Sequence, residues 1–450
     1  MILLYNFLLV VTSFFWLPWM ILRTRKRKEQ PNWSERAGDY KFTAGVNPKR
    51  IWLHAVSVGE VMASLPILTA LREKLPGWEI VLSVTTSSGH ETARNKAKGL
   101  YDFLVYPPID LMRFTVRAMT RTKPAALVIM ETELWYSLLW SAKEFGATTI
   151  LANGRISDKS FSRSKHIAFF YKDVLGHFDH ILMQTEQDKE RILALGAPQA
   201  EVYGNTKYQE ALDALTASPE YWRKEFGIEP GDFVVFVGST RGEEDETPVL
   251  EGIKTAFPDL AGIKIIWAPR HLERAVDLAK RIASTLGPVA IRSKGEKGQI
   301  TILDTYGELS QAYCVADVVI VGGGFANMGG QNLIQPLAHG KPVIHGIHMQ
   351  NFRQAAQQAK DAGASLTVTT SADLADNLKK LKSDEALRTK MGQAGSEMVR
   401  SHSGAAERIA DRIASAAQDA WEKKETIKLE REARRKVKEA ERKAKEKTKR

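Results

Sequence analysis

A carboxylate that opens a helix directly after a strand is placed to act as a general base. Glu60 in His54-Ala-Val-Ser57-Val-Gly59-Glu60 has that position. Ser57 and Glu60 also have capping-box spacing, with Ser57 as N-cap and Glu60 at N3, and spacing alone favours reading them as a helix start. In that place the helix dipole predicts a Glu60 that is ionised at neutral pH. Glu131 and Glu133 lie beside Trp135 in Glu-Thr-Glu-Leu-Trp, either as an acid pair for chemistry or as an acid-rich helix start. Arg155 in Asn-Gly-Arg-Ile-Ser, Lys207 in Gly-Asn-Thr-Lys and Arg270 in Pro-Arg-His could meet a phosphate or a carboxylate, although a basic loop residue is more often simply solvated. Gly238 to Glu244, Gly322-Gly323-Gly324 and Gly329-Gly330-Gln331-Asn332 place glycines and helix starts where an anion could approach backbone N–H groups. Neither a dinucleotide fingerprint nor a P-loop is present. His345 and His348 share a loop without an obvious third ligand, so no metal site is expected. The single cysteine, Cys314, excludes a disulfide within the chain and a cysteine-based metal site.

Most of these residues follow short β-branched runs. The strand candidates are 51–56, 80–85, 103–106, 126–130, 148–153 and 180–184. A second series follows at 233–239, 263–269, 300–304, 317–323, 341–346 and 365–369. Such runs, separated by helix-length segments, predict parallel sheets covered on both faces. The fold class is therefore α/β, with two Rossmann-like doubly wound domains facing a cleft. The expected boundaries are a domain over 50–215, a second over 216–421 and a charged helical or disordered tail over 422–450. Ligands of such sheets bind beyond the carboxyl ends of the strands.

Of the formal charge of +11, the segment 23–29 supplies +4 and the tail supplies +7, which leaves the body without net charge. A nucleic-acid partner is therefore not expected. Residues 1–22 carry no charged side chain and have the length of a bilayer span, with Tyr5, Trp16 and Trp19 towards the ends. The run Arg23, Arg25, Lys26, Arg27 and Lys28 follows and forms part of a basic linker over 23–49. It predicts a membrane anchor with the rest of the chain in the cytoplasm. Pro18 fits a helix lying in the membrane plane as well as a spanning one. The tail reads as a solvated helix or as a second contact with anionic lipid.

The strand-end motifs HAVSVGE (54–60), ETELW (131–135), NGRIS (153–157), GNTK (204–207), PRHLER (269–274), YGEL (306–309), VGGG (321–324), GGQN (329–332) and GIHMQNF (346–352) together resemble one family. This is the bacterial 3-deoxy-D-manno-octulosonic acid (Kdo) transferases of lipopolysaccharide synthesis. The resemblance implies a GT-B-type fold behind an N-terminal membrane helix, in the bacterial inner membrane with the catalytic part facing the cytoplasm. It implies inverting transfer of Kdo from CMP-Kdo to a lipid A precursor. Glu60 then matches the general base, and Glu131 and Lys207 match positions of transition-state stabilisation. Pro269, Arg270, Tyr306, Gly307, Glu308, Asn332, Leu333, Ile334 and Gln335 match the CMP-binding segments. The partners implied are the CMP-sugar, the lipid A precursor and the membrane surface, with no cofactor and no metal. The chain departs from the family pattern at Arg241, Gln331 and Gln335, and at Tyr136 and Gln209. Two alternatives follow: a related membrane-tethered transferase with another activated acid sugar or lipid acceptor, or a binding protein reduced in catalysis.

Overall fold

The computed structural model describes residues 1–26, 32–42, 45 and 47–448. Arg27 and Lys28 of the basic run lie outside the described residues, as do the side chains of Trp19, Arg23, Arg25 and Lys26. The chain forms two compact units, Met1–Lys207 with Gly404–Arg450, and Tyr208–Ser403.

The first unit holds β1 (Arg50–Ala55), β2 (Glu79–Val84), β3 (Phe103–Val105), β4 (Ala126–Met130), β5 (Thr148–Gly154), β6 (His180–Met183) and β7 (Glu201–Val202). They form one parallel sheet in the order β3-β2-β1-β4-β5-β6-β7. The order reverses between β1 and β4, so the two central strands end side by side with their helices departing to opposite faces. That is the point at which doubly wound sheets leave room for a ligand. Ile51, Leu53 and Ala55 of β1 enter one core and Trp52 enters the other, which explains the unbroken apolar run.

The second unit holds β8 (Phe233–Thr240), β9 (Ile263–Pro269), β10 (Val289–Ile291), β11 (Ile300–Ile302), β12 (Val318–Val321), β13 (Val343–His345) and β14 (Ser365–Thr367). Its parallel sheet runs β10-β11-β9-β8-β12-β13-β14 and switches direction between β8 and β12. All twelve expected strands are present, within a few residues of their expected ends. The short strands β7 and β10 were not expected; two or three residues at a sheet margin carry too little pattern to register.

Two domain bounds are corrected: residues 208–215 belong to the second unit, where Tyr208 and Ala211 enter its core. Residues 404–421 do not belong with the second sheet, because the helix Ala405–Thr448 packs on the first unit. Its stripe of Ile409, Ile413 and Ala417 is buried in the same core as Leu53, Ile67 and Leu71. Trp421 Nε1 donates to the carbonyl of Asn47 at 3.1 Å, and Lys424 Nζ to that of Pro124 at 2.8 Å. The first turns of the tail are thus docked, and the helix continues through Thr448.

At the other end of the chain, Ile2–Lys26 is helical with Pro18 inside it. Its first turns are tied to the first unit. Tyr5 Oη donates to Asp110 at 2.8 Å, Asn6 Nδ2 to Ser137 Oγ at 3.0 Å, and the Met112 N–H to Asn6 Oδ1 at 2.7 Å. Leu3, Phe7, Phe14 and Phe15 remain exposed. Among the described residues, no helix is long and apolar enough to cross a membrane.

Candidate active site

Glu60 lies three residues into the helix Val58–Lys74, directly after β1. Ser57 caps that helix, with the Glu60 N–H donating to Ser57 Oγ at 3.4 Å and Ser57 Oγ donating to Glu60 Oε1 at 3.2 Å. The Val56 N–H donates to Glu60 Oε2 at 2.8 Å. The cap and the candidate base are therefore one arrangement. The expected charge state is corrected, however. Burial pushes the Glu60 carboxyl up to about 7, against the Val56 N–H bond, and the nearby charges of Glu131 and Glu133 add to the rise. Desolvation outweighs the helix dipole here, since Glu60 is only 8% exposed. A group poised between its two forms at neutral pH suits a general base.

Glu131 follows β4 and is buried. Two cations from distant loops reach it. Lys207 Nζ lies 2.5 Å from Oε1 as an ion pair, and Arg155 Nε donates to Oε2 at 2.7 Å. The cations are 34% and 47% exposed, so each buries one edge against Glu131 and turns the rest of its surface to solvent. One carboxylate between two cations leaves this trio with about +1, which the nearby Glu60 and Glu133 carboxyls offset in part, so the exposed edges of Lys207 and Arg155 are where a negatively charged group could be met.

The backbone is strained where these groups meet. Glu131 and Asn153 have φ of 58° and 55°, a left-handed conformation that non-glycine residues adopt rarely and mostly where the surroundings enforce it. Asn153 ends the β5 side of the site, and its Oδ1 accepts from the Thr206 N–H at 3.1 Å. Thr206 Oγ1 donates to the Ala63 carbonyl at 2.7 Å, fixing the loop that carries Lys207. Asn153 was not singled out by sequence, and its motif neighbour Arg155 was only one of several basic loop candidates. Behind the site His54 is fully buried, with Nδ1 2.8 Å from Ser83 Oγ and its ring edge-on to Trp135 at 5.3 Å. Burial lowers its pKa to about 4, so it is neutral and supports the wall of the site.

In the second unit, Pro269 ends β9 and is buried, while Arg270 is exposed with its N–H bonded to the Thr240 carbonyl at 2.8 Å. Tyr306 is exposed. Glu308 accepts from Arg292 Nη2 at 3.2 Å and from Thr305 Oγ1, which fixes the Tyr306–Glu308 turn. Leu333 and Ile334 bury their side chains in the core, so only their backbone could meet a ligand. Gln335 is partly exposed, and Asn332 Oδ1 accepts from the Ile334 N–H at 2.9 Å. The helix expected to open at Gly329 begins at Ile334 and lasts five residues, which is too short for a strong dipole at its start.

The glycine loops at the β8/β12 switch point differ from the open anion cradle that their composition suggested. The buried Asp245 carboxylate accepts from the N–H groups of Gly323 at 2.6 Å, Phe325 at 3.1 Å and Arg241 at 3.1 Å. The chain fills this cradle with its own anion. Arg241, one of the departures from the family pattern, donates from Nη1 to the Met328 carbonyl at 2.9 Å and pins the same loop. Asp245→Asn puts an amide in place of a carboxylate that accepts from three donors. It should destabilise the second unit by about 2 kcal/mol, read as a lower urea midpoint for its transition. An unchanged midpoint would show that the loop does not depend on this carboxylate. Among the described residues no cluster of metal-ligating side chains is found.

Known proteins agree with this architecture. The profile of the family described as "3-Deoxy-D-manno-octulosonic-acid transferase (kdotransferase)" matches residues 31–210. A 3-deoxy-D-manno-octulosonic acid transferase of Bordetella pertussis is 32% identical over 382 residues, covering 81% of this chain and 86% of that protein. One from Chlamydia pneumoniae is 29% identical over 365 residues, covering 80% and 83%. Among solved structures, UDP-GlcNAc 2-epimerase from Neisseria meningitidis matches with a TM-score of 0.57 at 13% identity, covering 80% of this chain and 98% of that one. At such low identity the likeness concerns the fold alone.

Proposed function

The chain belongs to the family of 3-deoxy-D-manno-octulosonic acid transferases, and from that premise we propose that it moves Kdo from CMP-Kdo to a lipid A precursor with inversion at the anomeric carbon. The observation that carries this proposal is the pairing of Glu60, raised to about 7, with the Lys207–Glu131–Arg155 clamp at one strand-end switch point. In the proposed step the acceptor hydroxyl gives its proton to the Glu60 carboxylate. Its oxygen bonds to the anomeric carbon from one face as the bond to the CMP phosphate breaks on the other. The phosphate leaves with the electron pair.

The anomeric carbon of Kdo carries a carboxylate, and the clamp's excess positive charge can orient that anion as the bond breaks. We assign Lys207 and Arg155 to the contact and Glu131 to holding both cations in place. CMP is assigned to the second unit, at Pro269, Arg270, the Tyr306–Glu308 turn and the backbone of Asn332 to Gln335. The assembly is thereby read as GT-B-type. Departing phosphate charge is balanced by Arg270 and backbone N–H groups, so no metal is required in this scheme. Dialysis against a chelator should leave the rate unchanged within about twofold; a rate restored only by a divalent cation would overturn the metal-free assignment.

A lipid-borne acceptor calls for a membrane contact. We assign it to the helix Ile2–Lys26 lying in the interface plane of the inner membrane, with the catalytic units in the cytoplasm. Two features support this: the first turns of the helix bond to the first unit, and its outer face is apolar. The test is direct. Purified chain, CMP-Kdo and lipid A precursor should release CMP and give a product heavier by one Kdo or more. Gln331, Gln335 and Arg241 depart from the family pattern in the donor half and favour, as a second reading, another activated acid sugar. A screen of CMP-sugars scored by CMP release decides between the two. Binding of CMP without turnover on any acceptor would sink both.

A further inference from the structure

The segment after Arg155 carries a surface that the chemistry above leaves unused. It comprises the helix Asp158–Ser164, the turn Lys165–Ile167 and the helix Ala168–Leu175. Ile167 and Phe169 stand 46% and 67% exposed on it, at the joint between turn and helix. Arg163, Lys165 and Lys172 are exposed around them. The segment's acids are already engaged: Asp158 pairs with Arg191, and Asp173 accepts from the Tyr136 hydroxyl. Among the described residues no acid pairs with Arg163, Lys165 or Lys172, and Lys165 Nζ stands 4.4 Å over the Phe161 ring.

This surface is continuous with the N-terminal helix. Phe170, next to Phe169, packs its ring 5.9 Å from that of Tyr5, whose hydroxyl is held by Asp110. The N-terminal helix, on which Leu4, Phe7 and Leu8 are exposed, thus touches the helix that carries Phe169. Apolar tips ringed by unpaired cations are complementary to a bilayer with anionic headgroups. The rings enter the acyl boundary while the cations remain with the phosphates. A protein partner of matching chemistry would need a large acidic surface around an apolar pocket, a narrower requirement than an anionic bilayer.

We infer that the Ile167–Phe169 tip, with Arg163, Lys165 and Lys172, is a second lipid-contact surface that seats the first unit on an anionic bilayer beside the N-terminal helix. This rests on the proposal of a lipid-borne acceptor, but its test needs no sugar. The sequence offers a clean probe, because the single cysteine, Cys314, is buried and burial raises its thiol pKa. Full-length Phe169→Cys, labelled with an environment-sensitive fluorophore, should shift its emission to the blue on adding phosphatidylcholine vesicles that contain phosphatidylglycerol. Salt should reverse the shift. Full-length Phe169→Glu and Arg163→Glu/Lys165→Glu should keep their circular dichroism and bind those vesicles about tenfold more weakly than the parent chain.

A silent label, or Glu variants that bind as the parent does, would overturn the inference. A blue shift that appears without lipid as protein concentration rises would also overturn it, assigning the tip to a second copy of the chain. A chain that gives the lipid-dependent shift yet transfers no Kdo would retain this surface and lose the proposed reaction.

Discussion

Glu60→Gln should lower kcat by about a thousandfold, within the range that one positioned general base contributes. The parent chain should show log kcat/KM rising with a slope of one up to about pH 7 and flat above it, because only the ionised carboxylate can take the acceptor's proton. The variant should lack this rise. Stability should move the other way. A carboxyl whose folded pKa stands above its unfolded value binds a proton in the native state between roughly pH 4.5 and 7 that the unfolded chain has released. The parent chain therefore loses stability as pH rises through that window. Glutamine has no proton to lose and can still accept from the Val56 N–H, so at pH 8 the variant should be the more stable, by on the order of 2 kcal/mol. Lost turnover together with gained stability excludes misfolding as the cause. A variant keeping more than about a tenth of the parent rate would remove Glu60 from the role of base.

That pKa also marks a limit of the sequence. Ser57 and Glu60 were legible as a cap and as a base candidate, because both follow from three-residue spacing. The charge state was not, because it depends on desolvation and on Glu131 and Glu133, which arrive from another strand end. The sheets were legible for a similar reason. Buried parallel strands require β-branched runs such as FVVFV, and those runs are visible one at a time. The return of the helix Ala405–Thr448 to the first unit was not visible, since its stripe of Ile409 and Ile413 would fit either core. Asp245 was hidden among the acids Glu243, Glu244 and Glu246 at a helix start, where charge is expected for the dipole alone. Only the fold shows that one of the four reaches across to Gly323 and Phe325. The glycine loops were read as open places for a phosphate; at Gly323 the backbone N–H is instead taken by the protein's own carboxylate.

The second large effect belongs to the clamp. Lys207→Ala should lower kcat by about a hundredfold or more, and Lys207→Arg should recover part of that loss. Two roles for Glu131 can be told apart here. If Glu131 acts directly on the cationic sugar in the transition state, Glu131→Gln removes a contact independent of Lys207, and the two losses multiply in the double variant. If Glu131 instead holds Lys207 and Arg155 in place, Glu131→Gln releases the cations. The double variant Glu131→Gln/Lys207→Ala should then be about as slow as the worse single one. The geometry favours the second outcome. Glu131 is 2% exposed, and each of its oxygens faces a cation, at 2.5 and 2.7 Å, so little of its charge is left to act on a substrate. Glu131 is also held at a φ of 58°, a cost that makes sense if the position of the carboxylate matters more than its reach. Stability supplies the control. Lys207→Ala leaves a buried carboxylate with Arg155 as its single cation and should destabilise the first unit by about 2 kcal/mol, whereas Glu131→Gln/Lys207→Ala removes the uncompensated charge and should recover part of that loss. Multiplied rate losses with no recovery of stability would transfer Glu131 from positioning to direct chemistry.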